Sequence, residues 1–176
     1  MKRYVSMFLL IIICFLLQTT IFRFLQLANV IPNLLLILTA VSGFMYGRRL
    51  GMFSGVLCGL LMDLLYGNVI GLCILILVLI GYVNGIANKF YFKDDMVIPL
   101  LAIALSDLVY GFLYYSCNFL LRGRLNLFFY LKSVMIPEMV YTVLLGIILY
   151  KLIHWLDEKL NPPVEVPLEK SKPFEG

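Results

Sequence analysis

The sequence predicts an all-α integral membrane protein: six transmembrane helices in one compact bundle, with both termini cytoplasmic. Three observations carry that reading. The 176 residues are 62% hydrophobic, with a mean hydropathy of +0.99. That is more apolar surface than a soluble domain of this size can bury. The charged residues fall mostly at the ends of long apolar runs and divide the chain into six spans. Glycine recurs every fourth residue through GFMYGRRLGMFSGVLCGLLMDLLYGNVIG, at 43, 47, 51, 55, 59, 67 and 71, with Asp63 on the one missing beat.

Each span has its own signals. Lys2 and Arg3 precede an uncharged run, Tyr4 to Phe22, that is longer than a signal-peptide core. Gln18-Thr19-Thr20-Ile21-Phe22 offers no small-x-small cleavage site, so the run reads as a retained first helix. Pro32 opens the second helix, where a missing N–H costs nothing, and Arg48-Arg49 close it. From Leu50 to Asn88 only Asp63 is charged. Those residues would span roughly 58 Å as one helix, nearly twice the hydrocarbon thickness, so they are two helices turning at Tyr66-Gly67-Asn68. Pro99 starts the fifth helix, which contains Asp107; Arg122-Gly123-Arg124 follow it. In the sixth, Pro137 predicts a kink just before Glu138. The expected transmembrane domain is 1–156, with helices at about 4–22, 31–47, 50–66, 69–88, 97–121 and 131–156. The tail, 157–176, has four prolines and mostly acidic charges, which predicts an extended cytoplasmic segment.

Orientation follows from lysine and arginine. With both termini inside, ten of them lie on the cytoplasmic side and four, Arg23, Arg122, Arg124 and Lys132, outside. The formal charge of +4, placed at span ends, suits topology signals and gives no reason to expect nucleic-acid binding.

The carboxylates within spans are Asp63, Asp107 and Glu138. A central carboxylate costs about 2.5–3.5 kcal/mol to insert, so each must face the bundle interior, a partner or water. A cluster at the outer end is expected, pairing Asp63 or Glu138 with Arg122, Arg124 or Lys132. The plainer reading is that these carboxylates only staple helices together. Likewise Gly51, Gly55 and Gly59, with Asp63, Gly67 and Gly71 beyond them, form a smooth stripe. It is filled either by a partner's helix or from within the bundle.

Other chemistry finds little support. Cys14, Cys58, Cys73 and Cys117 lie in apolar runs with no C-x-x-C pair, and the single histidine, His154, sits beside Trp155 at a span end. The expectation is small buried residues and an interfacial side chain, with no metal site, no catalytic residue and no cofactor. GVLCGLLMD lacks the lysine and serine of a P-loop, and no G-x-S-x-G occurs.

Gln18, then Pro32-Asn33-Leu34, and above all GVLCGLLMDLLYGNVIGL at 55–72, resemble the rod shape-determining protein MreD family. Length, helix pattern and short tail fit the same family. The resemblance implies a non-enzymatic, multi-pass protein of the bacterial inner membrane. It would be a scaffold of the cell-elongation machinery that helps to organise peptidoglycan synthesis. It implies MreC, a single-pass membrane protein, as partner, together with actin-like MreB, RodA, the elongation-specific penicillin-binding protein and membrane lipids. It makes Pro32, Asn33, Gly55, Gly59, Asp63 and Gly71 the family-pattern residues, and it implies a fold similar to the substrate-binding subunits of energy-coupling-factor vitamin transporters.

The alternative is such a transporter subunit itself. Against it, the first helix, YVSMFLLIIICFLLQTTIF, has no alanine and no stripe of small residues of the kind those subunits use to engage their energising partner. A membrane enzyme using Asp63, Asp107 and Glu138 for acid–base chemistry is the third class.

Overall fold

In the computed structural model the described residues are 2–21, 31–66, 70–90, 96–118 and 131–160. Among them every regular element is helical. The α-helices are α1 (Lys2–Thr20), α2 (Leu34–Tyr46), α3 (Arg48–Tyr66), α4 (Leu72–Ala87), α5 (Val97–Asn118) and α6 (Ile136–Leu160). A 3-10 turn, Asn88–Phe90, follows α4, and a π turn, Leu131–Met135, leads into α6.

The bundle is built around α2. Its sequence, LLLILTAVSGFMY, is apolar on every side, and a helix of that kind belongs in a core. Every residue from Leu34 to Met45 is buried, and α2 touches α1, α3, α4, α5 and α6. Its few polar groups are satisfied locally: the Thr39 hydroxyl donates to the Leu35 carbonyl, and Ser42 bonds both the Thr39 carbonyl and Ser54 of α3. Asn33 caps its start, accepting from the Leu36 N–H at 3.0 Å. Asn88 caps its end, donating from Nδ2 to the Phe44 and Met45 carbonyls at 2.6 and 3.1 Å. Gly47 alone joins α2 to α3, and its φ of +86° is a left-handed conformation that suits glycine.

The outward faces are apolar. Val5, Leu64, Leu75, Leu105 and Ile148 are all more than three-fifths exposed. Extensive exposed leucine and isoleucine is a poor surface for water and a good one for lipid. On length and hydropathy, the stretches Val97–Cys117 of α5 and Ile136–Asp157 of α6 suffice to cross a membrane; Tyr4–Thr20, Leu34–Tyr46 and Leu72–Ala87 are apolar and shorter. The 13 residues of α2 measure about 20 Å, against a hydrocarbon core of about 30 Å.

Several local expectations change. Pro32 stands just before the cap of α2, with Asn33 taking the capping position. Pro137 falls in the first turn of α6, directly after the π turn, so the irregularity sits at the helix start, where its missing N–H is tolerated. Helix α5 starts two residues before Pro99, which again lies in a first turn. Cys14, Cys58 and Cys73 are buried, but Cys117 is exposed. The turn at Gly67, the basic segment with Arg122 and Arg124, and the tail beyond Leu160 lie outside the described residues.

Candidate functional site

Helices α3 and α4 run antiparallel and pack along a seam of glycine. A Cβ built on Gly55 would stand 2.6 Å from the Leu77 carbonyl oxygen and 2.9 Å from the Val78 Cα. One on Gly59 would meet the Ile74 backbone, and one on Gly51 the Gly81 carbonyl. No side chain fits there, because the obstacle is backbone that cannot rotate away. The contact is reciprocal: Gly81 approaches Gly51, and Gly85 approaches Arg48. Gly43 of α2 joins the crossing, so Gly43, Gly51 and Gly81 bring three helix backbones together. The stripe at Gly51, Gly55 and Gly59 is therefore filled from within, by α4, and is closed to a partner's helix. Gly81 and Gly85 were readable as the complementary small pair, four residues apart in LIGYVNGIA.

Asp63 continues that stripe one helical turn on, and there α4 begins. Its carboxylate accepts three backbone N–H groups: Gly71 at 2.8 Å, Cys73 at 3.0 Å and Ile74 at 3.2 Å. These are donors that the first turn of α4 cannot satisfy itself. Gly71, at the cap position, has φ +104° and supplies no side-chain cap of its own. Asp63 thus caps a helix from its neighbour, with a negative charge at the positive end of the α4 dipole. The expected pairing of Asp63 or Glu138 with Arg122 or Arg124 falls outside the described residues. Lys132 is exposed, and among the described residues no ion pair joins it to Asp63 or Glu138.

Beside this cap lies a cavity of about 200 Å³. Its lining is Gln18 of α1, Ile31 and Asn33 before α2, Met62 of α3, Tyr110, Gly111 and Tyr114 of α5, and Glu138 of α6. Two of these polar groups are partly committed. The Gln18 Oε1 accepts from the Leu35 N–H at 3.3 Å, and the Asn33 N–H donates to Thr142 Oγ1 at 3.3 Å. Asn33 is only 2% exposed. Its Oδ1 is held by the cap of α2, while its Nδ2 is buried without a hydrogen-bond partner. Tyr110 and Tyr114 stack at 5.7 Å, and the Tyr110 hydroxyl lies 3.7 Å from Cys73 Sγ, which ties the cavity wall to the Asp63 cap.

The fold therefore brings Asn33 and Glu138 to one cavity and leaves Asp63 just behind its wall. Asp107 is buried, with Oδ1 lacking a hydrogen-bond partner. No cluster of histidine, cysteine and carboxylate residues able to hold a metal ion occurs among the described residues. The tyrosines at 110 and 114 carried no signal in the sequence, since tyrosines on an apolar helix read equally as interfacial. A second polar link, Asn84 Nδ2 to Ser106 Oγ at 2.8 Å, joins α4 to α5 and was also unmarked.

The sequence model of the family described as rod shape-determining protein MreD matches residues 1–159. No curated protein and no solved structure matches the chain.

Proposed function

The chain belongs to the rod shape-determining protein MreD family, which places it in rod shape determination, and on that premise we propose that it is a non-enzymatic, multi-pass scaffold of the bacterial inner membrane, with six spans and both termini cytoplasmic. It binds MreC and, with actin-like MreB, RodA and the elongation-specific penicillin-binding protein, organises peptidoglycan synthesis. The observation that carries this reading is the use to which Asp63 is put. The acid in the family pattern spends both oxygens on three backbone donors of α4. A carboxylate held that way sets helix geometry and has little capacity left for proton transfer. The rest of the pattern is equally architectural: Gly55 and Gly59 close the seam, and Asn33 caps α2.

Because the glycine stripe is occupied, partner helices meet the outward apolar faces instead. The transporter-subunit reading draws on the cavity, whose lining mixes polar and aromatic residues. The test is affinity purification of the tagged chain in mild detergent, with retained proteins and small molecules identified. Co-purification of MreC and cell-wall synthases is expected. A stoichiometric vitamin together with an ATPase complex, and no MreC, would overturn the scaffold reading.

A further inference from the structure

We propose that the cavity between α1, α5 and α6 is a binding site for a small zwitterionic head group: a primary ammonium set against Glu138, joined to a phosphate or ester oxygen that accepts from Asn33. The inference is independent of the scaffold reading.

The donor set argues for both ends. Nδ2 of Asn33 is an unpartnered donor, buried at the cavity wall, and its orientation is fixed because Oδ1 holds the cap of α2. A buried amide N–H left without an acceptor costs about 1–3 kcal/mol, so an occupant that supplies an oxygen is favoured. Glu138 lines the same space, and no hydrogen bond or ion pair engages its carboxylate among the described residues. A partly buried carboxylate with no lysine or arginine beside it among the described lining residues favours a positive occupant. The stacked tyrosines, Tyr110 and Tyr114, offer aromatic faces to the same ammonium. A free phosphate alone is disfavoured beside the Glu138 carboxylate, with no lysine or arginine among the described lining residues. A lone lysine or arginine side chain fits the carboxylate but brings no acceptor for Asn33.

Size points the same way. An engineered apolar cavity of about 150 Å³ takes benzene, so about 200 Å³ takes roughly eight non-hydrogen atoms, the size of phosphoethanolamine. The walls come from segments that begin or end close by: the end of α1, the start of α2, the end of α3 and the start of α6. The cavity is thus at one end of the bundle, at the depth where a lipid head group lies.

The same chemistry arises from phosphatidylethanolamine or from free phosphoethanolamine, and the test separates them. The full-length protein, purified in mild detergent, is mixed with equal amounts of phosphatidylethanolamine and phosphatidylglycerol, and bound lipid is counted by native mass spectrometry. Phosphatidylethanolamine should be retained about tenfold over phosphatidylglycerol. Glu138→Gln, which keeps the shape, should erase that preference. So should Asn33→Asp, which keeps the cap oxygen and replaces the free donor by an acceptor. Tyr114→Leu, which removes an aromatic face, is the third variant, should either of these fail to fold, and should weaken the same preference. Competition by free phosphoethanolamine would identify the head group alone as sufficient; its absence would identify the lipid. Equal retention of the two lipids, no retention, or an unchanged preference in the folded variants would overturn the proposal and leave the cavity a water-filled space.

Discussion

Replacing Asp63 tests whether a single carboxylate holds α3 and α4 in register. In Asp63→Ala three backbone donors, those of Gly71, Cys73 and Ile74, lose their acceptor at once. Hydrogen bonds to a charged group contribute about 1.5–3 kcal/mol each, but three bonds to one carboxylate are not additive. Water at the helix end also replaces part of the loss. A net cost of about 3–5 kcal/mol follows, of which about 0.5–1 kcal/mol is charge against the helix dipole. For a chain of this length, about 2–4 °C of melting temperature accompanies each kcal/mol in soluble domains, so Asp63→Ala should lower the midpoint by roughly 6–20 °C. Asp63→Asn keeps one acceptor oxygen and should lose about half as much. The assay is thermal unfolding of purified protein in one detergent, followed by intrinsic fluorescence. Were Asp63 an ion-pair partner instead, the charge would be the whole effect, and Asn and Ala would cost the same. Equal losses, or an Asp63→Ala midpoint within about 2 °C of wild type, would refute the capping argument.

Gly55→Ala should destabilise by about 1–3 kcal/mol and Gly55→Leu should abolish accumulation of folded protein, because the new Cβ meets the Leu77 backbone; detergent-soluble yield and melting temperature report both. Gly71→Ala probes a different cause. Nothing lies within 4 Å of its Cβ position, so the cost of about 1–2 kcal/mol comes from φ alone, and Gly71→Asn should recover part of it. Asn88→Ala removes two bonds that close α2 and should cost about 1 kcal/mol, read as earlier hydrogen exchange at the end of α2. A double-mutant cycle on Asn84→Ala and Ser106→Ala should give a coupling of about 0.6 kcal/mol by equilibrium unfolding, the usual value for an interhelical hydrogen bond in lipid.

Much of this fold was legible because it depends on short-range patterns. Apolar run lengths and their charged ends predicted an all-helical chain of six helices, and six α-helices stand among the described residues. Asn33 was visible as part of a pattern, and its capping role is of a kind its residue type favours. The burial of α2 was legible in principle, since LLLILTAVSG has no polar face, but a membrane helix facing lipid has the same composition. In lipid, hydrophobicity no longer separates inside from outside, so the sequence could not rank α2 above α1 as the core.

The chemistry of the carboxylates was the least legible. Asp63, Asp107 and Glu138 are equally isolated in apolar sequence, yet one caps α4, one is buried behind a cavity and one lines it. The sequence by itself determined only that each should face the bundle interior, a partner or water, because a charge facing hydrocarbon is too costly to keep. Which donor satisfies Asp63 is a matter of antiparallel register between α3 and α4. The seam is tightly specified by backbone contact, and it carries Asp63 to the start of α4. The cavity, likewise, takes its lining from residues as distant as Gln18 and Glu138. Periodicity along one helix is a local property and survives in the sequence. The meeting of five segments at one point is a property of packing, and only the tertiary structure decides it.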